Sequence, residues 1–138
     1  MSLTEIERRE VVKYNLEKAN DTLAEIPVLI AHKFHRTTAN RLYYACFYAA
    51  TALLINDGYE AHTHSGVKTL LGLHYIKEKK IEKSFGIMYE KLFDLRQKGD
   101  YSNWIDLKES DIIPLLEPAE KFIAQIEKLI NNQQTIYQ

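Results

Sequence analysis

The sequence predicts an all-α fold, an antiparallel bundle of about five helices. Apolar residues recur with the helical period along almost the whole chain, and no segment shows the two-residue alternation of a strand. The three prolines and five glycines fall near expected helix boundaries or at tolerated positions. A chain of 138 residues is long enough to bury its own core, so we expect a single domain over residues 1–138.

The first helix is expected to begin at Ser2 or Thr4. Each is followed three residues later by a glutamate, which is the capping-box pattern. Pro27 is expected to end or kink this helix, because proline removes an interior hydrogen bond. We expect a short separate helical turn over residues 28–32.

The second helix is expected over residues 37–56 and is closed by Asp57-Gly58. It is apolar on nearly every face, which predicts that it is the central helix of the bundle or lies at an oligomer interface. It carries Cys46, the only cysteine, which cannot form an internal disulfide. We therefore expect a buried, inert thiol and a cytoplasmic protein.

The third helix is expected to start near Thr63, with His64 or Ser65 as its cap and Thr63 as the alternative cap. Residues 77–80 are lysine-rich and are expected to form a solvated helix end. A fourth helix is then expected over residues 81–100.

The last helix is expected to follow a loop over residues 101–109 and to be capped by Ser110 or Asp111. Pro114 fits a first turn, and Pro118 implies a second start or a kink. Residues 131–138 are expected to be a frayed tail.

Arg96 is the most informative residue, because it lies beside the apolar stripe of the fourth helix. The stripe residues fall within roughly 40° of one direction at 100° per residue; they are Ile81, Phe85, Met88, Leu92 and Leu95. Arg96 falls near about 60°, on the shoulder of that stripe. A cation there needs a partner. It is either an internal polar cluster with Asp100 and Asn40 or the phosphate of a ligand.

Composition excludes several classes of protein. The net charge of −1 argues against a general nucleic-acid-binding surface but allows a local basic pocket. The longest apolar run covers residues 42–55 and is too short to cross a bilayer, so no membrane role is expected. His62 and His64 lack further convergent ligands in the sequence, so we expect no metal and no cofactor.

Three sequence blocks, residues 40–49, 62–67 and 92–101, together resemble the HEPN domain family. The resemblance is strongest to its small stand-alone prokaryotic subgroup. It implies a bundle of four or five helices, often homodimeric. Many such proteins are metal-independent ribonucleases, commonly toxins paired with a small nucleotidyltransferase antitoxin. Their active motif is an arginine, then four to six intervening residues, then a histidine, and it lies in a cleft at the dimer interface.

That motif is matched here only in part. Arg96 matches the arginine, Tyr101 stands where the histidine is expected, and Asn40 matches a supporting polar residue from an earlier helix. A tyrosine with an ordinary pKa of about 10 is a poor proton shuttle. Tyr101 is equally well explained as a capping aromatic side chain at a helix end. The resemblance thus implies three catalytic candidates, Arg96, Tyr101 and Asn40, and six phosphate- or nucleotide-binding candidates, Arg96, Asp100, Arg41, Tyr44, His64 and Ser65.

Two functions remain open from the sequence. The first is a binding module in a toxin–antitoxin-like system, which holds RNA or nucleotide phosphate or pairs with a nucleotidyltransferase. The alternative is an active metal-independent ribonuclease toxin that uses Arg96. Binding survives the loss of the motif histidine better than catalysis does, because a guanidinium holds phosphate without a proton shuttle. We expect a homodimer in either case.

Overall fold

The chain folds into five α-helices in a computed structural model. The model describes the backbone of residues 3–101 and 106–136 and the side chains of residues 3–98 and 106–132. The helices are α1 (Glu5–Ala31), α2 (His35–Asn56), α3 (His64–Leu71), α4 (Lys83–Tyr101) and α5 (Glu109–Ile136). The described ranges contain no strand, and the predicted all-α bundle is confirmed.

Helix α2 lies at the centre of the bundle. It packs against α1, α3, α4 and α5. Half of its residues are buried, including a run of small side chains, Ala39, Ala45, Cys46, Ala49, Ala50 and Ala52. Small residues let neighbouring helices approach closely, which explains how one helix can contact four others. The sequence prediction of a central helix is confirmed.

Helix α1 begins at the predicted capping box and ends later than predicted. The hydroxyl of Thr4 accepts from the backbone N–H of Glu7 at 3.1 Å, and the Glu7 carboxylate accepts from the N–H of Thr4 at 3.1 Å. The alternative start, Ser2, lies outside the described residues. The helix does not end at Pro27 but continues to Ala31, so residues 28–32 are not a separate turn. Pro27 is exposed, and water can solvate the carbonyl that loses its helical partner.

Helix α3 is capped by Thr63, and the preference for His64 or Ser65 was wrong. Thr63 has extended backbone geometry, and its hydroxyl accepts from the N–H of Gly66 at 2.9 Å. His64 is therefore the first helical residue, and Ser65 is exposed. After Leu71 the chain continues into a π-helical turn over Gly72–Ile76, which the sequence did not predict.

Replacing Thr63 with alanine is expected to lower the free energy of unfolding by about 1 kcal/mol, because the Gly66 N–H loses its partner. Ser65→Ala is the matched control and should change it by less than about 0.5 kcal/mol, since Ser65 is exposed. Urea denaturation followed by circular dichroism measures both. Equal losses in the two variants, or a larger loss for Ser65→Ala, contradict the assigned cap.

Helix α5 starts at Glu109 and passes through both Pro114 and Pro118 without a second start. The prediction that Ser110 or Asp111 caps the helix was wrong, because both residues lie inside it. The Asp111 carboxylate instead reaches back and accepts from the N–H of Lys108 at 2.9 Å. The helix extends to Ile136, within the segment expected to fray, and residues 137–138 lie outside the described part of the chain.

No helix within the described ranges is both long enough and apolar enough to cross a membrane.

Candidate functional site

Three helices bring five side chains together in what we call the arginine cluster. It consists of Tyr43, Tyr44 and Phe47 from α2, His64 from α3 and Arg96 from α4. Tyr43 is fully buried, whereas the other four side chains are half-buried. The cluster is therefore anchored in the core and partly open to solvent.

Helix α2 supplies the aromatic platform of the cluster. Residues four and seven positions apart share one side of a helix, so Tyr44 and Phe47 lie on the same face as Asn40. The Tyr44 and Phe47 rings meet edge to face at 6.0 Å between centroids. Tyr43 lies beside them, 5.3 Å from Tyr44 and 5.9 Å from Phe47. Neighbouring rings fix each other's orientation, which gives the platform a defined shape.

Arg96 lies over this platform. Its guanidinium carbon is 5.5 Å from the ring centroid of Tyr43 and 5.6 Å from that of Tyr44. Contacts with ring faces attract a cation through the ring quadrupole. Arg96 is half-buried, as its place on the shoulder of the apolar stripe suggests. The backbone of Asp100 and Tyr101 forms the last turn of α4, and their side chains lie outside the described residues.

His64 contacts the same two tyrosines. Its Nδ1 lies 2.8 Å from the Tyr43 hydroxyl, and its ring packs 4.4 Å from that of Phe47 between centroids. Burial, and secondarily the charge of Arg96, lower the pKa of His64 below its ordinary value. His64 is consequently a neutral imidazole at neutral pH, with both donor and acceptor capacity.

Tyr43 is buried in the core, and its hydroxyl forms a hydrogen bond with the imidazole of His64. Burial raises the pKa of Tyr43 to about 12, although the neighbouring Tyr89 and Arg96 act in the opposite direction. Its hydroxyl therefore stays protonated at neutral pH. It can donate to His64 Nδ1 or accept from it, depending on the tautomer.

The other binding residues predicted from the sequence do not all lie near the arginine cluster. Asn40 is half-buried on the platform side of α2, one turn before Tyr44. Arg41 faces α1 instead, where its guanidinium forms an ion pair with the Glu25 carboxylate at 3.0 Å. Ser65 follows His64 on α3 and is exposed. The structure thus brings Tyr44 and His64 together with Arg96, and it engages Arg41 elsewhere.

Two residues beside the cluster were missed by the sequence analysis. Lys68 lies over the ring of Phe93 with its ammonium 4.5 Å from the centroid, and Phe93 lies 6.0 Å from Tyr43 between centroids. Lys68 follows His64 by four residues, so both project from the same side of α3. That spacing was the available signal. Lys68 also approaches Glu90 of α4 at 4.0 Å, so its charge is partly balanced.

Metal and thiol chemistry find little support in the described ranges. Among those residues, no three histidine, cysteine or acidic side chains converge as metal ligands. Cys46 is fully buried, and burial raises the pKa of its thiol. The predicted buried thiol is confirmed, and a thiolate nucleophile at this position is excluded.

Comparison with known proteins gives consistent matches over most of the chain. A family model described as the HEPN domain matches residues 12–129. A UPF0332 protein of Thermotoga maritima is 31% identical over 126 residues, covering 91% of this chain and 96% of the relative. A protein of Methanocaldococcus jannaschii named "Putative toxin" is 31% identical over 122 residues, covering 88% and 90%. A second protein of that organism with the same designation is 27% identical over 123 residues, covering 89% and 83%.

Proposed function

The chain belongs to the HEPN domain family, and we propose that it is a toxin-like protein whose arginine cluster binds the phosphate of RNA or of a nucleotide. The observation that carries this proposal is the position of Arg96 over the rings of Tyr43 and Tyr44. A cation held by ring faces at a half-buried position is oriented before a ligand arrives. Preorganised guanidinium groups bind phosphate well, because their planar donors match two phosphate oxygens at once.

The platform beneath Arg96 suits a nucleobase next to that phosphate. Tyr44 and Phe47 are half-buried, so neither residue is fully enclosed by the core. Bases stack on such rings without regard to sequence. Lys68 adds a second positive charge beside Phe93. These two cations beside half-buried aromatic residues support the binding of single-stranded RNA or a nucleotide despite the net charge of −1.

Asn40 and the end of α4 complete the proposed site. Asn40 can donate to a phosphate oxygen from the platform side of α2. Asp100 and Tyr101 follow Arg96 by four and five residues on the same helix, and we keep both as candidate members of the site. Tyr101 stands where the family motif has histidine. The motif alone therefore supports the binding of phosphate better than it supports the cleavage of RNA.

The toxin-like role and the partners rest on a different argument. Two relatives carry toxin in their names. The half-buried aromatic side of α2, including Tyr48, offers a surface on which a second copy of the chain can pack. We therefore propose a homodimer and a small nucleotidyltransferase as partners of this protein.

Tyr44→Ala is the direct test of the proposed platform. We expect it to weaken binding of a fluorescein-labelled single-stranded RNA by about 5- to 150-fold, the usual effect of losing one stacked base. Tyr14→Ala is the matched control, because Tyr14 is a tyrosine of α1 that is 60% exposed and lies outside the cluster. Fluorescence anisotropy at fixed salt measures both affinities. Undetectable RNA and nucleotide binding by the unmodified protein, or equal losses in the two variants, overturns the proposal.

A further inference from the structure

A cavity lies between the first turns of α1, the last turns of α2 and the segment over residues 58–62 that leads into α3. Its volume is about 240 Å³. An apolar cavity of about 150 Å³ holds one benzene molecule, so this cavity has room for a single ring with a short side chain. No residue of the arginine cluster lines it, so it is a separate place in the fold. Its apolar wall consists of Leu3, Leu54, Ile55, Ala61 and Val67.

Arg8 of α1 brings a positive charge to the wall of this cavity. Its Nη1 donates to the backbone carbonyl of Ile55 at 3.2 Å, and its side chain is half-buried. Among the residues that the structure describes, no carboxylate lies within ion-pair distance of it. Glu60, an acidic residue of the same wall, is exposed and keeps its hydration. A guanidinium has five N–H donors, so the bond to Ile55 leaves donors for an anion.

The turn that ends α2 fixes the place of the Arg8 guanidinium. Gly58 has a φ of +85°, a left-handed conformation that favours glycine. A Cβ at this position would lie 3.2 Å from Arg8 Nη1, so the missing side chain gives the guanidinium its room. The partial negative charge at the carboxyl end of α2 attracts the same cation. The charge is therefore in position before a ligand arrives.

Two other residues of the wall restrict the kind of ligand. Thr51 lies one turn before Ile55 on α2, and its hydroxyl oxygen is buried without a hydrogen-bond partner in the described part of the chain. A ligand oxygen within reach of Thr51 supplies that partner. The Tyr59 ring stacks on that of His74, 4.2 Å apart between centroids and 14° from parallel. A fixed aromatic ring in the wall favours an aromatic ligand.

We propose that this cavity binds a small aromatic carboxylic acid, with its carboxylate on Arg8 and Thr51 and its ring against the apolar wall. The planar donors of a guanidinium match the two oxygens of a carboxylate. The cavity is smaller than the usual 300–1,000 Å³ or so of sites for larger ligands, so its ligand is smaller than a nucleotide. This inference does not depend on the proposed binding of RNA.

Phenylacetate, one ring with a short side chain that ends in a carboxylate, is the test ligand. It is titrated into the full ¹⁵N-labelled chain and followed by nuclear magnetic resonance. We expect a Kd of about 10 µM to 1 mM, as for other ligands of roughly ten non-hydrogen atoms. The amide signals of Gly58, Ala61 and Val67 should shift, whereas those of Tyr44 and Phe47 should not. Phenylacetamide has the same shape without the charge and should bind about 10-fold more weakly.

Arg8→Gln tests the charge. We expect it to weaken phenylacetate binding by about 10- to 100-fold and to leave phenylacetamide binding nearly unchanged, because only the charged ligand loses its partner. Arg9→Gln is the matched control, since Arg9 is exposed and forms an ion pair with Glu5 at 3.3 Å. It should bind phenylacetate as the unmodified protein does.

Thr51→Val tests the hydroxyl and keeps the shape of the side chain. We expect phenylacetate to bind about 2- to 10-fold more weakly. Thr69→Val is its matched control, because Thr69 is an exposed threonine of α3 outside the cavity wall. Circular dichroism shows whether each variant is folded. The comparison of phenylacetate with phenylacetamide on the unmodified protein needs no variant at all.

Several results would overturn the proposal. One is no detectable binding of phenylacetate by the unmodified protein at 10 mM ligand, about ten times the weakest expected Kd. Another is a set of shifts confined to Tyr44 and Phe47, which would place the acid at the arginine cluster. Equal affinity for phenylacetate and phenylacetamide, or equal losses in Arg8→Gln and Arg9→Gln, also contradicts it. RNA binding is measured separately, so its failure leaves this proposal intact.

Discussion

Replacing Arg96 with alanine is expected to weaken the binding of single-stranded RNA by about 30- to 1,000-fold. The reason is that alanine removes both the charge and the paired N–H donors that match two phosphate oxygens, whereas the platform of Tyr43 and Tyr44 remains. Fluorescence anisotropy with a labelled RNA at fixed ionic strength measures the change. The slope of affinity against salt concentration should also decrease, because one fewer phosphate is neutralised.

Two variants separate this local effect from a general loss of charge. Arg96→Lys keeps the positive charge without the planar pair of donors, so its affinity should fall between those of the wild type and Arg96→Ala. Arg36→Ala removes an exposed arginine from the first turn of α2 and should bind almost normally. If Arg36→Ala and Arg96→Ala weaken binding equally, the protein attracts RNA through its overall charge, and the arginine cluster is not the site.

The central place of α2 could be predicted because a helix buried on all sides has apolar residues on all sides. A helix that is apolar on every side has no face to expose, whatever its neighbours are. The capping box at Thr4 was predictable for a similar reason, since both of its hydrogen bonds join residues three positions apart. Features that depend only on neighbours in sequence are the ones that sequence patterns report well.

The cap of α3 and the continuation of α1 beyond Pro27 could not be predicted from neighbouring residues in the sequence. Thr63 and Ser65 are both good capping residues, and only the extended backbone at Thr63 determines which of them lies outside the helix. Pro27 is unfavourable inside a helix by itself. The packing of α1 along α2 nevertheless keeps the chain helical beyond it, because tertiary contacts outweigh one lost hydrogen bond.

The candidate site was predictable in part for the same physical reason. The place of Arg96 on the shoulder of its helix follows from periodicity and could be calculated. The contacts that form the cluster around Arg96 join residues far apart in the chain, such as the hydrogen bond between Tyr43 and His64. Arg41 shows that closeness in sequence does not place a residue in the cluster. It precedes Tyr44 by only three residues, and yet it forms an ion pair with Glu25 on α1. Which neighbour a polar side chain reaches depends on how the helices pack.

Removing the ring of Phe122 is expected to lower the free energy of unfolding by about 3–5 kcal/mol. Phe122 is fully buried on α5, and its ring lies 6.1 Å from that of Phe85 and 5.9 Å from that of Tyr89 between centroids. Phe122→Ala therefore removes buried apolar surface and leaves a cavity that rigid neighbouring rings cannot fill. Since whole domains are stable by only about 5–15 kcal/mol, this loss is a large share of the total.

The effect should extend to the functional site through one further contact. Tyr89 lies 5.9 Å from Tyr43 between ring centroids, so the cavity opens behind the residue that holds His64. Phe34→Ala is the matched control, because Phe34 is 56% exposed and its loss should cost less than about 0.5 kcal/mol. Urea denaturation followed by circular dichroism compares the two. A loss below about 1 kcal/mol for Phe122→Ala contradicts the packing described here and implies a core that rearranges around the missing ring.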